Sequence, residues 1–459
     1  MTDRRAVDGI IEADWILPME PAGTLLERHS LVLDKDRILA VLPWREALRR
    51  YSPEHRWNRP GHALIPGLIN AHTHAAMTLF RGYADDLPLA EWLHDCIWPA
   101  EQRVIGRRFA RDGVRLAVAE MLRGGITCFS DMYYFPAITA DEAVRAGIRA
   151  MVGIRVLDTA LGFGATPEDT LEGGLDLRDR CQAEPLLHCS LAPYAPEALS
   201  AQVLERLCRL STEYGLRVHS HVHETRDSVE QACGRQGRRP LEELQNAGLL
   251  NRRLVAVHMN HLTATERQAA ARAGVHVVHC PRSNLKLASG FCPVTELLAE
   301  GVNVALGTDG AASNNSLDLL ADMRMAALLA KGLSGNAASL GAETALRMAT
   351  VNGARALGLD AEIGSLEVGK QADCVAIDLN RPQSTPMYHV QAQLVYATQR
   401  DQVTDVWVAG RHLLDQGRLT SLDVTSVLRQ TRRWRQRLLN PSALDRIRRW
   451  LRPDRLRRS

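Results

Sequence analysis

The stretch Leu64-Ile65-Pro66-Gly67-Leu68-Ile69-Asn70-Ala71, followed at once by His72-Thr73-His74, decides the fold. It is a short apolar run that ends abruptly in polar side chains. A run of this kind reads as a strand buried on both faces. Seven further runs share the form: Ile126 to Met132, Ala150 to Leu157, Leu186 to Ala192, Arg217 to His223, Leu254 to Met259, Val275 to His279 and Val302 to Leu306. Segments of helical period follow most of them, such as Val114 to Leu122 and Leu241 to Gln245. Strands alternating with helices make parallel βαβ units. Eight repeats predict a closed (β/α)8 barrel of the TIM type, an α/β fold.

Outside the barrel the pattern changes. From about residue 9 to 60 it is strand-like with polar turns, as in Trp15-Ile16-Leu17 and Leu31-Val32-Leu33 before the turn Asp34-Lys35-Asp36. Similar strands return in Cys374-Val375-Ala376-Ile377 and Val406-Trp407-Val408. The two ends are therefore expected to pair into a small composite β-sandwich. The expected division is 1–62 for its N-terminal part, 63–364 for the barrel, 365–430 for its C-terminal part and 431–459 for an Arg-rich helical tail. In the tail, Trp434, Leu438, Leu439, Ile447 and Leu451 form an apolar stripe. It reads as a terminal helix packed on the body, with contact to an anionic partner as the other reading.

Composition narrows the class. The 459 residues are 46% hydrophobic, enough for one large domain and a smaller one. A net charge of +3 from 56 basic and 53 acidic residues argues against a nucleic-acid coat. Nine cysteines without a CxxC pair fit a reduced protein. The start, MTDRRAVDGI, lacks a signal-peptide core, and no stretch is apolar enough to span a membrane. A cytoplasmic protein acting on a small molecule, without nucleic acid or membrane, is expected. The Leu- and Ala-rich segment Leu319 to Leu333 could pack on its own barrel or in a homo-oligomer.

The polar ends of the runs carry the chemistry. His72 and His74, two apart on an extended segment, point to one side and can grip one metal ion. In the fifth run His219, His221 and His223 share a face, and Glu224 follows. The sixth run ends in His258, the seventh in His279, and the eighth in Gly307-Thr308-Asp309. Barrel enzymes place catalytic groups at this end of their strands. One divalent metal at the barrel mouth accounts for the set together. Zinc suits such donors best, and iron and manganese are compatible. Glu224 and His258 can then move protons.

These residues resemble the amidohydrolase superfamily, and most closely its branch of 5′-methylthioadenosine/S-adenosylhomocysteine deaminases and related chlorohydrolases. The resemblance spans nearly the whole chain. Beyond Pro66 to His74 it rests on Leu79-Phe80-Arg81-Gly82, His221-Val222-His223-Glu224-Thr225, His279 to Leu287, Leu306 to Asn315 and Gly364 to Asp373. It implies one metal held by His72, His74, His221 and Asp309, with no carboxylated lysine at the fourth strand. It implies that Glu224 passes a proton to the substrate's ring nitrogen, that His258 orients water, and that Asp309 takes the water's proton. For binding it implies Glu101 on the ribose hydroxyls, Trp92 as an apolar wall, and Arg155 at the substrate's far end. The implied reaction is hydrolytic deamination of an adenine nucleoside thioether. Alternatives are another amino-substituted heterocycle (guanine, pterin, triazine) or a non-catalytic relative.

Two departures bear on the substrate. Ala192-Pro193-Tyr194-Ala195-Pro196-Glu197 carries Tyr194 where the family usually has a histidine that contacts substrate, and Glu197 where it has an aromatic residue. His223 stands where a small residue usually precedes the glutamate.

Overall fold

A computed structural model describes residues 4–156, 158 and 167–439. Four strands come first: β1 (Arg5–Ile16), β2 (Leu26–Asp34), β3 (Arg37–Pro43) and β4 (Tyr51–Pro66). Eight follow: β5 (Leu68–Thr73), β6 (Ile126–Asp131), β7 (Arg149–Val156), β8 (Leu187–Pro193), β9 (Arg217–Val222), β10 (Leu254–His258), β11 (His276–His279) and β12 (Asn303–Leu306). The last four are β13 (Cys374–Asp378), β14 (Val403–Val408), β15 (Arg411–Asp415) and β16 (Arg418–Leu419).

Strands β5 to β12 are neighbours in chain order, and every pair is parallel. The ring closes where β12 meets β5. The Asp309 amide donates to the His72 carbonyl at 3.0 Å, and the Asn70 side chain bridges to Thr308 through both its amide atoms. The remaining strands form one mixed sheet in the order β16-β15-β14-β13-β4-β1-β2-β3. The two chain ends meet there, with Cys374 of β13 opposite Pro66 of β4. Ile11, Leu31, Leu33, Leu64, Ala376 and Trp407 share one buried cluster in this sheet.

The first run does not form a single strand. Leu64 to Pro66 ends β4, and the barrel strand starts only at Leu68. Gly67 is the break, because a Cβ there would lie 1.9 Å from Thr127 Oγ1. Both halves are fully buried, so hydrophobicity alone does not mark the division. The other seven runs match their strands to within one residue at each end.

Segment Leu319–Ser334 is a helix that buries Leu319, Leu320, Met323, Ala326, Ala327 and Ala330 in its own chain. The C-terminal helix Val424–Leu439 docks through Trp434, whose indole donates to Asp112 at 2.9 Å and packs edge-on against Phe109. Leu438 is buried, Leu439 is exposed, and Ile447 and Leu451 lie outside the described residues.

The composite sheet holds a buried ion pair. Arg59 grips Asp405 through two bonds of 2.7 and 2.8 Å, and His412 Nε2 lies 3.0 Å from the same carboxylate. With Asp415, Asp405 and His412 have the spacing of a cation site, but the guanidinium of Arg59 already lies against both carboxylates. Burial pushes Asp405 up, yet its bonds to Arg59 and His412 hold it below the usual carboxylate range. Its folded pKa is thus below the unfolded value. The pair's stabilisation is full above about pH 4 and fades as the pH falls further. Asp405→Ala strands the Arg59 charge and is expected to cost about 3–5 kcal/mol. Urea denaturation at neutral pH checks this, and an unchanged midpoint contradicts it.

Candidate metal centre and cavity

Four donors converge at the C-terminal mouth of the barrel. The ligating atoms of His72, His74, His221 and Asp309 all lie within 4.8 Å of one another. His72 Nε2 and His74 Nε2 are each 3.3 Å from Asp309 Oδ1. The arrangement follows from strand geometry: His72 ends β5 and His221 lies near the end of β9, both facing inward. His74 follows β5 directly, and Asp309 lies three residues past the end of β12.

What surrounds these groups aims them. His74 Nδ1 bonds the Met132 carbonyl at 2.5 Å, and His221 Nδ1 bonds the Tyr194 carbonyl at 2.7 Å. A carbonyl only accepts, so each Nδ1 carries the proton and each Nε2 keeps a lone pair. His72 Nδ1 lies 3.0 Å from His219 Nε2, and His219 Nδ1 lies 3.1 Å from Ser130 Oγ. Donation along that line leaves His72 Nε2 as a lone pair too, buried and without a hydrogen-bond partner among the described residues. Burial holds His72 down to about 4 and His221 well below its ordinary value, so both rings are neutral at pH 7. The serines Ser283 and Ser313 donate to Asp309 Oδ2 at 2.6 and 2.9 Å. Burial pushes Asp309 up, but His72 and the other imidazoles around it hold it well below the usual carboxylate range. Three neutral nitrogens and one carboxylate, with an orphaned lone pair at their centre, fit a divalent metal.

His219 belongs to this arrangement as a holder of His72. His219→Ala is therefore expected to lower metal affinity about 10–100-fold, as loss of such outer partners does. Competition with a chromogenic chelator measures it, and unchanged affinity contradicts the role.

His223 is elsewhere. It follows β9 with φ 52° and swings out of the strand pattern. Its Nε2 accepts from the Leu241 amide at 3.2 Å and lies 3.8 Å from Glu266. The period-2 argument that placed it beside His219 and His221 fails because the strand stops at Val222. His279 is buried at the end of β11 and also stands outside the donor cluster.

Beside the donors lies a cavity of ≈ 220 Å³. Glu224, His258 and Asp309 border it, together with Trp92, Glu101, Arg155 and Tyr194. His258 Nδ1 bonds Asn284 Oδ1 at 2.8 Å, and Asn284 donates to Asn260 Oδ1. This fixes Asn284 as the acceptor and leaves His258 Nε2 facing Glu224 Oε1 at 3.7 Å. Burial pushes Glu224 up from its ordinary value. Also on the cavity wall, Tyr133 donates to Glu101 at 2.5 Å, and burial raises Glu101 as well. Arg155 lies over the Tyr134 ring at 4.2 Å. Tyr194 is 36% exposed and also lines the cavity. His258, Met259 and Asp309 all have positive φ (73°, 53° and 58°), an uncommon backbone state that clusters at functional sites.

Sequence reasoning missed Tyr133, Tyr134 and the holders Ser283, Ser313 and Asn284, and read His219 only as one of three histidines on a shared face. The two serines and Asn284 stand inside the quoted family motifs, which was the available signal. Nothing local marks the two tyrosines, which follow β6 and reach the cavity only through the barrel's curvature.

Residues 63–413 match the model described as the amidohydrolase family, and the chain belongs to that family. A 5-methylthioadenosine/S-adenosylhomocysteine deaminase of Teredinibacter turnerae is 44% identical over 438 residues, covering 95% of this chain and 99% of that protein. A solved adenosine deaminase of Xanthomonas campestris with bound zinc is 45% identical, with a TM-score of 0.94 over 95% of this chain and 99% of its own. The atrazine chlorohydrolase of Arthrobacter aurescens, 24% identical with a TM-score of 0.85 over 93% and 99% of the two chains, shares the fold. The chain is thus a hydrolase with a His/Asp metal-binding cluster. Among the described residues, no helix is long and apolar enough to cross a membrane.

Proposed function

We propose that the protein deaminates an adenine nucleoside thioether, 5′-methylthioadenosine or S-adenosylhomocysteine, to the inosine-type product and ammonia, with one zinc ion held by His72, His74, His221 and Asp309. The observation that carries the reading is the set of carboxylates and imidazoles that border one cavity beside the donor cluster. Glu224 and His258 stand 3.7 Å apart beside the donor cluster, and Glu101 borders the same cavity. The 44%-identical relative, matched over nearly its full length, supports the substrate class.

When bound, the metal supplies Lewis-acid activation, lowering the pKa of a water to about 7. The protein's residues do the rest. His258, with Nδ1 tied to Asn284, presents Nε2 to accept a hydrogen bond from the attacking water and orient it. Glu224, raised by burial, holds a proton and gives it to the ring nitrogen next to the amino-bearing carbon. That proton lets the ring accept electrons as the water oxygen bonds to carbon. Asp309 takes the water's proton. Asp309 passes that proton to the amino group, the carbon–nitrogen bond breaks and ammonia leaves, and the new hydroxyl's proton returns to Glu224 as the carbonyl forms. Glu101 accepts from the two ribose hydroxyls. Trp92 walls the apolar side, and Arg155 and Tyr194 border the remainder of the substrate.

A panel of methylthioadenosine, adenosylhomocysteine, adenosine, guanine and a pterin, with products read by mass spectrometry, tests this. The expected result is ammonia and an inosine-type product from the first two at the highest kcat/KM. Turnover of guanine or the pterin alone contradicts it.

A further inference from the structure

A second cavity, of ≈ 610 Å³, opens at the opposite end of the barrel, beside the starts of β8, β9, β10 and β11. That volume is within the usual range for a small-molecule site. Its walls carry Arg178, Arg217, Arg252 and Arg253, with His188 and Tyr214, and no carboxylate. Most partly buried arginines of this chain are paired with acids. Here the pattern differs. Arg217 donates to the main-chain carbonyls of Arg252 and Arg355. Arg253 donates to the hydroxyls of Ser211 and Thr212 at 3.0 and 2.8 Å. Arg252 is exposed and has no side-chain partner among the described residues. Arg178 has one acid, Asp179 at 2.7 Å, and stacks over the Tyr214 ring at 4.4 Å, while its buried Nε has no partner among the described residues. His188 Nε2 is likewise buried and unpartnered.

Like charges gathered together repel one another, and here Asp179 beside Arg178 and Asp360 near Arg217 offset only part of the charge. Burial, with Arg252 and Arg253 nearby, lowers Arg217 from its ordinary value against the opposing charge of Asp360. Neutral partners hold the guanidinium groups of Arg217 and Arg253 in place without discharging them. Such an arrangement leaves their charge for an anion, and guanidinium groups match phosphate oxygens two at a time.

We propose that this cavity binds a small molecule bearing a pyrophosphate group, at a site separate from the catalytic mouth. Arg217, Arg252 and Arg253 hold the phosphates, and Arg178 with Tyr214 forms the side wall.

Calorimetric titration of the full-length, metal-loaded protein tests this, with inorganic pyrophosphate and ADP as two probes. A saturating inosine-type nucleoside keeps the catalytic cavity filled. At low salt at least one probe is expected to bind with a dissociation constant of about 1 mM or tighter. Arg252→Gln, which removes no internal bond, is expected to weaken binding about tenfold. Arg252→Lys restores part of it. Tighter binding of ADP than of pyrophosphate, lost in Tyr214→Ala, supports a nucleotide occupant, and equal binding supports pyrophosphate alone. Absence of heat with both probes at about 10 mM overturns the proposal. So does equal affinity in Arg252→Gln, which would locate the binding elsewhere. Deaminase activity is read separately, and its presence or absence does not enter this result.

Discussion

Stripping the metal with a chelator is expected to lower kcat/KM on the order of 10³-fold or more, with recovery on adding zinc. Lewis-acid activation is worth several kcal/mol, and each 1.4 kcal/mol is a factor of ten. The donor geometry explains why no internal group replaces the ion. Three imidazoles have their Nδ1 atoms committed to Met132, Tyr194 and His219, so each Nε2 points into the centre with only a lone pair. Asp309 adds a negative charge there. The stripped centre therefore holds a buried carboxylate against three neutral acceptors, an arrangement that also costs stability. Both effects are read on one sample, by activity and by thermal midpoint before and after zinc. Full activity in a sample shown by elemental analysis to be metal-free contradicts the assignment.

Glu224→Gln is expected to lower kcat about 10²–10⁴-fold, the usual worth of a positioned general acid. The amide keeps the size and hydrogen-bonding capacity but has no proton to give. Metal content is expected to be unchanged, because Glu224 lies outside the four-donor cluster. The pH profile supplies an independent sign. Burial raises Glu224, so its acid form persists above the ordinary carboxylate range. A step that needs this acid slows as the pH rises through the raised value, and the Gln variant lacks that limb. A variant with normal kcat, or one that loses metal in parallel with activity, removes Glu224 from the proton path.

The barrel was legible because its strands are short, wholly buried and separated by helical stretches. Seven of them end within one residue of the end of the apolar run. The first was misjudged because Leu64 to Pro66 is as buried in the composite sheet as Leu68 to Ala71 is in the barrel. The break depends on the Thr127 side chain pressing on Gly67, a contact between residues 60 positions apart that no local pattern carries. The donors were legible for a related reason: strand ends at one face of a barrel converge, so His72, His74, His221 and Asp309 had to meet. Spacing alone did not separate His221 from His219 and His223. The structure places His219 one layer below, against His72, and turns His223 away at the strand's end. Tyr133 and Tyr134 escaped notice because nothing in their neighbourhood distinguishes a cavity wall from a core.

The most direct measurement is the fate of the oxygen. Methylthioadenosine is incubated with the zinc-loaded protein in water enriched in heavy oxygen, and the product's mass is recorded beside the ammonia released. The account predicts one heavy oxygen on the ring carbon that carried the amino group, and one ammonia per product molecule. A product without heavy oxygen, or unchanged substrate in a sample with its metal in place, contradicts it.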